Sequence, residues 1–99
     1  MTGIQEVKFS PLARKQFLDA LAFIRRDKPS AAIGFRQKAD ESLSHLPDFP
    51  ESGRRIPEFP DLAYREVIVS SYRFFYRQVG ETVWVVGVWH SRQLPSEPR

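Results

Sequence analysis

His90, Arg73 and Glu66 are the side chains from which a reacting centre could be assembled. Histidine titrates near neutral pH and serves as acid or base. Arginine offers a planar fork that suits phosphate and carboxylate better than a point-charge ammonium does. The chain leans on it: eleven of its fifteen basic residues are Arg and only four are Lys (Lys8, Lys15, Lys28, Lys38), a bias that GC-rich codon usage explains equally well. Against twelve acidic residues the net charge is +3 and the pI about 9.6. That balance is compatible with a nucleic-acid or acidic protein partner and proves neither. With no cysteine there is no disulfide and no thiolate metal site. His45 and His90 stand apart without ligand spacing, so neither a metal nor a cofactor is implied. Plainer readings stand beside the chemical one. His90 can close a strand as a hydrogen-bonded edge residue, and Arg73 and Arg77 can flank Glu66 as an ion-pair ladder worth about 0.2–1 kcal/mol per pair. Arg25 and Arg26, near a helix end, complement its macrodipole without needing a partner.

The elements that must hold these residues are legible in the patterning. Ninety-nine residues with 41% hydrophobic and 27% charged side chains suit one globular domain, 1–99. The longest apolar run, Val83–Trp89, is far short of the roughly 20 residues of a membrane helix. The first residues lack the apolar stretch of a secretory signal, so a cytoplasmic protein without a membrane partner is expected. Residues 1–9 hold a strand, Glu6-Val7-Lys8-Phe9 alternating as strands do. Residues 10–46 read as a helical hairpin. Ser10 is the N-cap and Pro11 the first helical residue. Ala13, Phe17, Ala20, Leu21 and Ile24 form the core stripe, with Leu18 and Phe23 outside it. Pro29 opens the second helix, whose stripe is Ala32, Phe35, Ala39, Leu43 and Leu46. Gly34 costs that helix about 1 kcal/mol unless it lets another helix approach. Residues 47–61 are a Pro-rich loop without regular structure, tacked down by Phe49, Ile56 and Phe59 while Arg54-Arg55 stay wet. Residues 62–90 form a three-stranded meander and 91–99 a tail. The order is βααβββ: an α+β domain whose small twisted, mainly antiparallel sheet carries the αα-hairpin on one face.

Two-residue turns at Ser70-Ser71 and Gly80-Glu81 set a register. Period-two alternation then places Val67, Val69, Tyr72, Phe74, Tyr76, Val83, Val85, Gly87 and Trp89 on the helix-covered face, with Gly87 making room for a helix. The reverse face carries Tyr64, Glu66, Ile68, Arg73, Phe75, Arg77, Trp84, Val86, Val88 and His90. Arg73 is then diagonal to His90 across Val88, and Glu66 lies between Arg73 and Arg77. Such a mixed face is expected to be covered or to bind something.

Several stretches resemble the RelE/ParE superfamily of type II toxin–antitoxin toxins along nearly the whole chain. They are Phe9-Ser10-Pro11-Leu12-Ala13-Arg14, Asp27-Lys28-Pro29-Ser30-Ala31-Ala32 and Phe49-Pro50-Glu51-Ser52-Gly53-Arg54. To these are added Tyr64-Arg65-Glu66-Val67-Ile68-Val69, Tyr72-Arg73-Phe74-Phe75-Tyr76-Arg77 and Val86-Gly87-Val88-Trp89-His90. The resemblance implies a twisted sheet with a helical hairpin on one side. It also implies a cognate antitoxin, ParD-like or RelB-like, that wraps and neutralises the chain, as in plasmid-stabilisation modules.

Members of this superfamily act in two ways. RelE-like toxins are ribosome-dependent endoribonucleases that cut mRNA. They need a base for the ribose 2′-OH, an acid for the leaving 5′ oxygen and cations for the pentacoordinate phosphate. By resemblance Arg73 and Arg65 are phosphate-binding, His90 supplies acid or base, and Glu66 or Glu58 is the partner base. ParE-like toxins instead poison DNA gyrase. The ending Val88-Trp89-His90-Ser91-Arg92 looks ParE-like, no tyrosine follows Tyr76, and four lysines are few for an rRNA-lined site. Gyrase inhibition is therefore the favoured expectation, the mRNA nuclease the alternative and an inactive binding module the second alternative. Antitoxin contacts are expected at Leu18, Ala22 and Phe23 on the first helix. An extended segment is expected to cross Arg73, Phe75, Trp84 and His90.

Overall fold

The computed structural model describes residues 6–93. The outermost parts of the expected first strand segment and tail, 1–5 and 94–99, lie outside the described residues. Chain order is β1 (Glu6–Phe9), α1 (Pro11–Asp27), α2 (Pro29–Ser44), β2 (Arg54–Arg55), β3 (Arg65–Val69), β4 (Tyr72–Val79) and β5 (Thr82–His90). The strands form one sheet in the order β1-β5-β4-β3-β2, with β1 parallel to β5 and the other pairs antiparallel. The α+β architecture with its helical hairpin is the expected one. An addition is β2, a two-residue strand inside the Pro-rich segment. No described helix is long and apolar enough to cross a membrane.

Local chemistry starts and stops the helices as expected. The Ser10 hydroxyl accepts from the Ala13 amide at 3.1 Å, and Pro11 occupies the first turn, where its missing amide proton costs nothing. Arg25 and Arg26 sit in the last turn, favourable for the helix dipole. Ala13, Ala20, Phe35, Ala39, Leu43 and Leu46 are buried against Val69, Tyr72, Phe74, Tyr76, Val83 and Val85. Aromatic rings tie the layers together: Phe17 lies edge-on to Phe74 at 5.7 Å, and Phe35 lies 5.1 Å from Tyr72. A Cβ added at Gly34 would meet no atom within 4 Å, so this glycine does not serve a close helix approach.

The β3–β4 register is the expected one, Arg65 opposite Tyr76 and Val69 opposite Tyr72. Ser70 and Gly80 lead the two hairpin turns with φ of 54° and 61°. The β4–β5 register starts as expected at Val79 and Thr82, then breaks at a β-bulge between Phe75 and Tyr76. Tyr76 is opposite Val85 but Phe75 is opposite Gly87, so Val86 is an extra residue. One inserted residue inverts the facing of all that follows. Val88 and His90 therefore face the helices, while Gly87 and Trp89 face the reverse side, contrary to the alternation expected from the turns. Gly87 makes room for a ring instead of a helix: a Cβ there would lie 3.0 Å from the Trp89 indole nitrogen.

Candidate functional site

Arg73 lies at the centre of the reverse face and is only 7% exposed. Its Nε donates to Glu66 Oε1 at 2.6 Å, and its Nη1 and Nη2 form a bidentate pair with Glu58 at 2.8 and 2.7 Å. The guanidinium also stacks over Phe75, 5.2 Å from the ring centre. Glu66 is 1% exposed and accepts a second bond, from Arg54 Nε at 2.6 Å. The expected Glu66–Arg73 pair is thus present. The second partner of Glu66 is Arg54 and not Arg77, whose guanidinium lies 5.4 Å from the Tyr64 ring centre. Arg54 keeps contact with water while one nitrogen reaches inward. These charge-assisted bonds occupy three of the five N–H donors of Arg73. The Arg73 hydrogen bonds hold the Glu58 carboxyl at a pKa of about 2, despite an opposing contribution from burial. The Glu58 bond in turn raises the Arg73 pKa, against desolvation.

What covers this face is the chain's own Pro-rich segment. Ile56 is fully buried with Phe75 and Val86, and Phe59, Tyr64, Trp84 and Trp89 pack around them. Phe49, expected to tack the segment down, is 62% exposed. The tethers are instead Ile56, Phe59 and the Glu58–Arg73 pair. A further tether is Tyr76, whose hydroxyl donates to Pro50 O at 2.8 Å and accepts from the Gly53 amide at 2.9 Å. Gly53 is required there: a Cβ would lie 2.5 Å from that hydroxyl oxygen.

His90 stands on the other side of the sheet. It is opposite Tyr72 in the β4–β5 ladder and packs edge-on against that ring at 5.2 Å. The bulge therefore overturns the shared Arg73/His90 face: Arg73, Glu66 and Glu58 meet, and His90 does not join them. Nδ1 of His90 accepts from the Arg92 amide at 3.1 Å, and the His90 amide donates to the Gln93 side chain. The imidazole opens on a cleft of about 330 Å³ together with Gln16, Asp19, Phe23, Tyr72 and Gln93. Among the described residues no lysine or arginine lines that cleft. Gln16 also extends the sheet edge beyond β1, its Oε1 accepting from the Val88 amide at 2.8 Å.

Of the three helix-face candidates, Leu18 and Phe23 line different clefts and Ala22 lines neither. Leu18, Phe23 and Ala22 are all exposed. Phe23 flanks the His90 cleft. Leu18 lines a groove of about 540 Å³ on the other side of α1, with Phe17, Leu21 and Trp84 inside and three cations, Lys8, Arg14 and Arg36, against one carboxylate, Asp40, around it. Trp84 also receives Lys8, whose Nζ is 5.9 Å from its ring centre. Five residues along a helix turn through roughly 500°, so Leu18 and Phe23 cannot share one face. Phe75, at 0% exposure, is closed to any partner while the Pro-rich segment is in place. Arg65 lies at the sheet's end, donating from Nη1 to Gly53 O at 2.8 Å. Reasoning from sequence missed Arg54 as the partner of Glu66, and only the adjacency Gly53-Arg54 beside a turn hinted at it. No group of histidine, cysteine or acidic residues suited to a metal occurs among the described residues.

No curated protein matches the chain. Among solved structures, the fold is similar to a chain of the chromosomal ParDE TA system from P. aeruginosa. That match has TM-score 0.66 and 14% identity, and covers 90% of this chain and 98% of that one. It is also similar to a chain of the toxin–antitoxin complex RelBE2 from Mycobacterium tuberculosis, with TM-score 0.58, 17% identity and coverage of 91% and 94%. At these identities the likeness concerns the fold. The family model described as the ParE toxin of the type II toxin–antitoxin system, parDE, matches residues 7–95, and the chain belongs to that family.

Proposed function

We propose that this protein is a ParE-like toxin acting in the cytoplasm by inhibiting DNA gyrase, and that a cognate ParD-like antitoxin neutralises it. The observation that carries the reading is the separation of Arg73 from His90. Phosphoryl transfer needs a proton-transfer group and cations converging on one phosphate. Here Arg73 is only 7% exposed and is paired with Glu58 and Glu66, while among the described residues no lysine or arginine lines the cleft at His90. A protein-binding inhibitor needs only accessible surface, and the exposed Leu18 and Phe23 on α1 supply it. For the antitoxin, the groove at Leu18 and Trp84 suits an amphipathic helix with acidic flanks, its apolar residues inside and its carboxylates on Lys8, Arg14 and Arg36.

The decisive experiment assays one preparation for gyrase supercoiling and for mRNA cleavage on translating ribosomes. Inhibited supercoiling with intact mRNA is the expected outcome. Cleavage that is abolished by Arg73→Ala and by His90→Ala, with gyrase unaffected, would establish the nuclease instead. Inactivity in both assays, with no slowing of growth in the absence of antitoxin, would leave an inactive binding module.

A further inference from the structure

A separate cluster of guanidinium groups lies at the sheet end formed by β2, β3 and β4. Arg55, Arg65 and Arg77 line a polar cleft of about 210 Å³ beside Gln78 and Glu51. Arg55 and Arg65 are direct partners in the β2–β3 ladder, a like-charge pairing that ordinarily destabilises a sheet. Among the described residues none of these three arginines forms an ion pair, since the carboxylates that do so serve Lys8, Lys15, Arg54 and Arg73. Yet they are held in place. Arg55 Nη1 donates to Leu62 O at 3.1 Å, Arg65 Nη1 donates to Gly53 O at 2.8 Å, and Arg77 rests on Tyr64. Three positioned cations against the single Glu51 carboxylate that lines the cleft among the described residues leave an excess of positive charge that suits an anion.

We propose that this cleft binds the phosphodiester backbone of duplex DNA. Its volume falls below the roughly 300–1,000 Å³ of pockets for drug-sized ligands, so it suits an oxyanion more than a whole nucleotide. Single-stranded nucleic acids are read by stacking bases on exposed aromatic rings. Among the described residues the cleft itself offers none: Tyr76 is 1% exposed, Arg77 covers Tyr64, and the exposed Phe49 lines the neighbouring cleft with Asp48 and Ser52. Phosphate contact without base contact is what sequence-independent duplex binding uses. The proposal does not depend on the gyrase reading, because the binding is measured without gyrase.

The test is fluorescence anisotropy of a labelled random-sequence duplex titrated with the full chain across a salt series. The expected result is binding at low salt that weakens about tenfold or more in the Arg55→Ala/Arg77→Ala variant, with the salt slope reduced by roughly two. That pair spares Arg65, which anchors Gly53. An Arg25→Ala/Arg26→Ala variant, with the same charge change on the opposite end of the molecule, is expected to lose far less. Should the double variant fail to fold, Arg55→Glu at the exposed strand end carries the same expectation. The idea is overturned by absence of duplex binding, by equal losses in the Arg25/Arg26 variant, or by tighter binding of single-stranded RNA. Arg55-dependent binding of an oligo-glutamate peptide in place of the duplex would also overturn it and mark the cleft as protein-facing.

Discussion

The two sides of the sheet are held by different physics. On the helix side, Phe17 and Phe35 from the two helices interlock with Tyr72 and Phe74, and among the described residues nothing charged is buried with them. Their contribution comes from apolar area removed from water and from ring packing. On the reverse side the apolar group is small, and the covering segment has almost no regular structure. It is held by Ile56 and by charges: Glu58 and Glu66 on Arg73, and Arg54 on Glu66. A hydrophobic layer tolerates shifts of a few tenths of an ångström. A chain of charge-assisted bonds specifies one arrangement and exacts a large penalty when a member is missing. The helix side therefore sets overall stability, and the reverse side sets which groups reach the surface.

That contrast can be broken in order of expected effect. Phe74→Ala, at a fully buried ring, should lower unfolding free energy by on the order of 4 kcal/mol in urea titration, with little dependence on pH. Glu66→Ala leaves Arg73 facing a gap and should cost about 3 kcal/mol. Its loss should be accompanied by easier proteolysis of the 47–61 segment, which Phe74→Ala is not expected to produce. Glu58→Gln should cost on the order of 1 kcal/mol, discounted because the carboxylate is 38% exposed. The sign of its pH dependence follows from a carboxyl pKa lowered from 4.5 to about 2 on folding. The pairing is fully present above 4.5 and is lost as pH falls toward 2, so the wild type should weaken in that interval more than Glu58→Gln does. Equal acid sensitivity of the two proteins would erase the distinction drawn between the faces. Gly34→Ala, with open space around the new methyl, should stabilise the protein by about 0.5–1 kcal/mol on the helix side. The smallest effect on stability, within about 0.5 kcal/mol, belongs to Phe23→Asp, because the ring is already 58% exposed. Under the proposed function this variant should nevertheless weaken antitoxin binding, and unchanged affinity in calorimetry would remove Phe23 from that interface.

The amino-acid order by itself determined the helices, the turns and the layer arrangement. Those rest on short-range chemistry: Ser10 before Pro11, Pro29 after Lys28, apolar residues three and four apart, and Gly80 at positive φ. The β3–β4 register was equally legible, because a two-residue turn leaves only one way to pair the strands. What the tertiary structure alone decided is where β5 points after Val85. Val83–Trp89 is apolar on both sides, so no alternation marks the extra residue at Val86, and the bulge separates His90 from Arg73. The same holds for Glu58 and Arg54, which reach Arg73 and Glu66 from 15 and 12 residues away. Periodicity reports the facing of neighbours along one strand. It carries no information on an insertion opposite another strand, or on which distant carboxylate closes around a buried guanidinium.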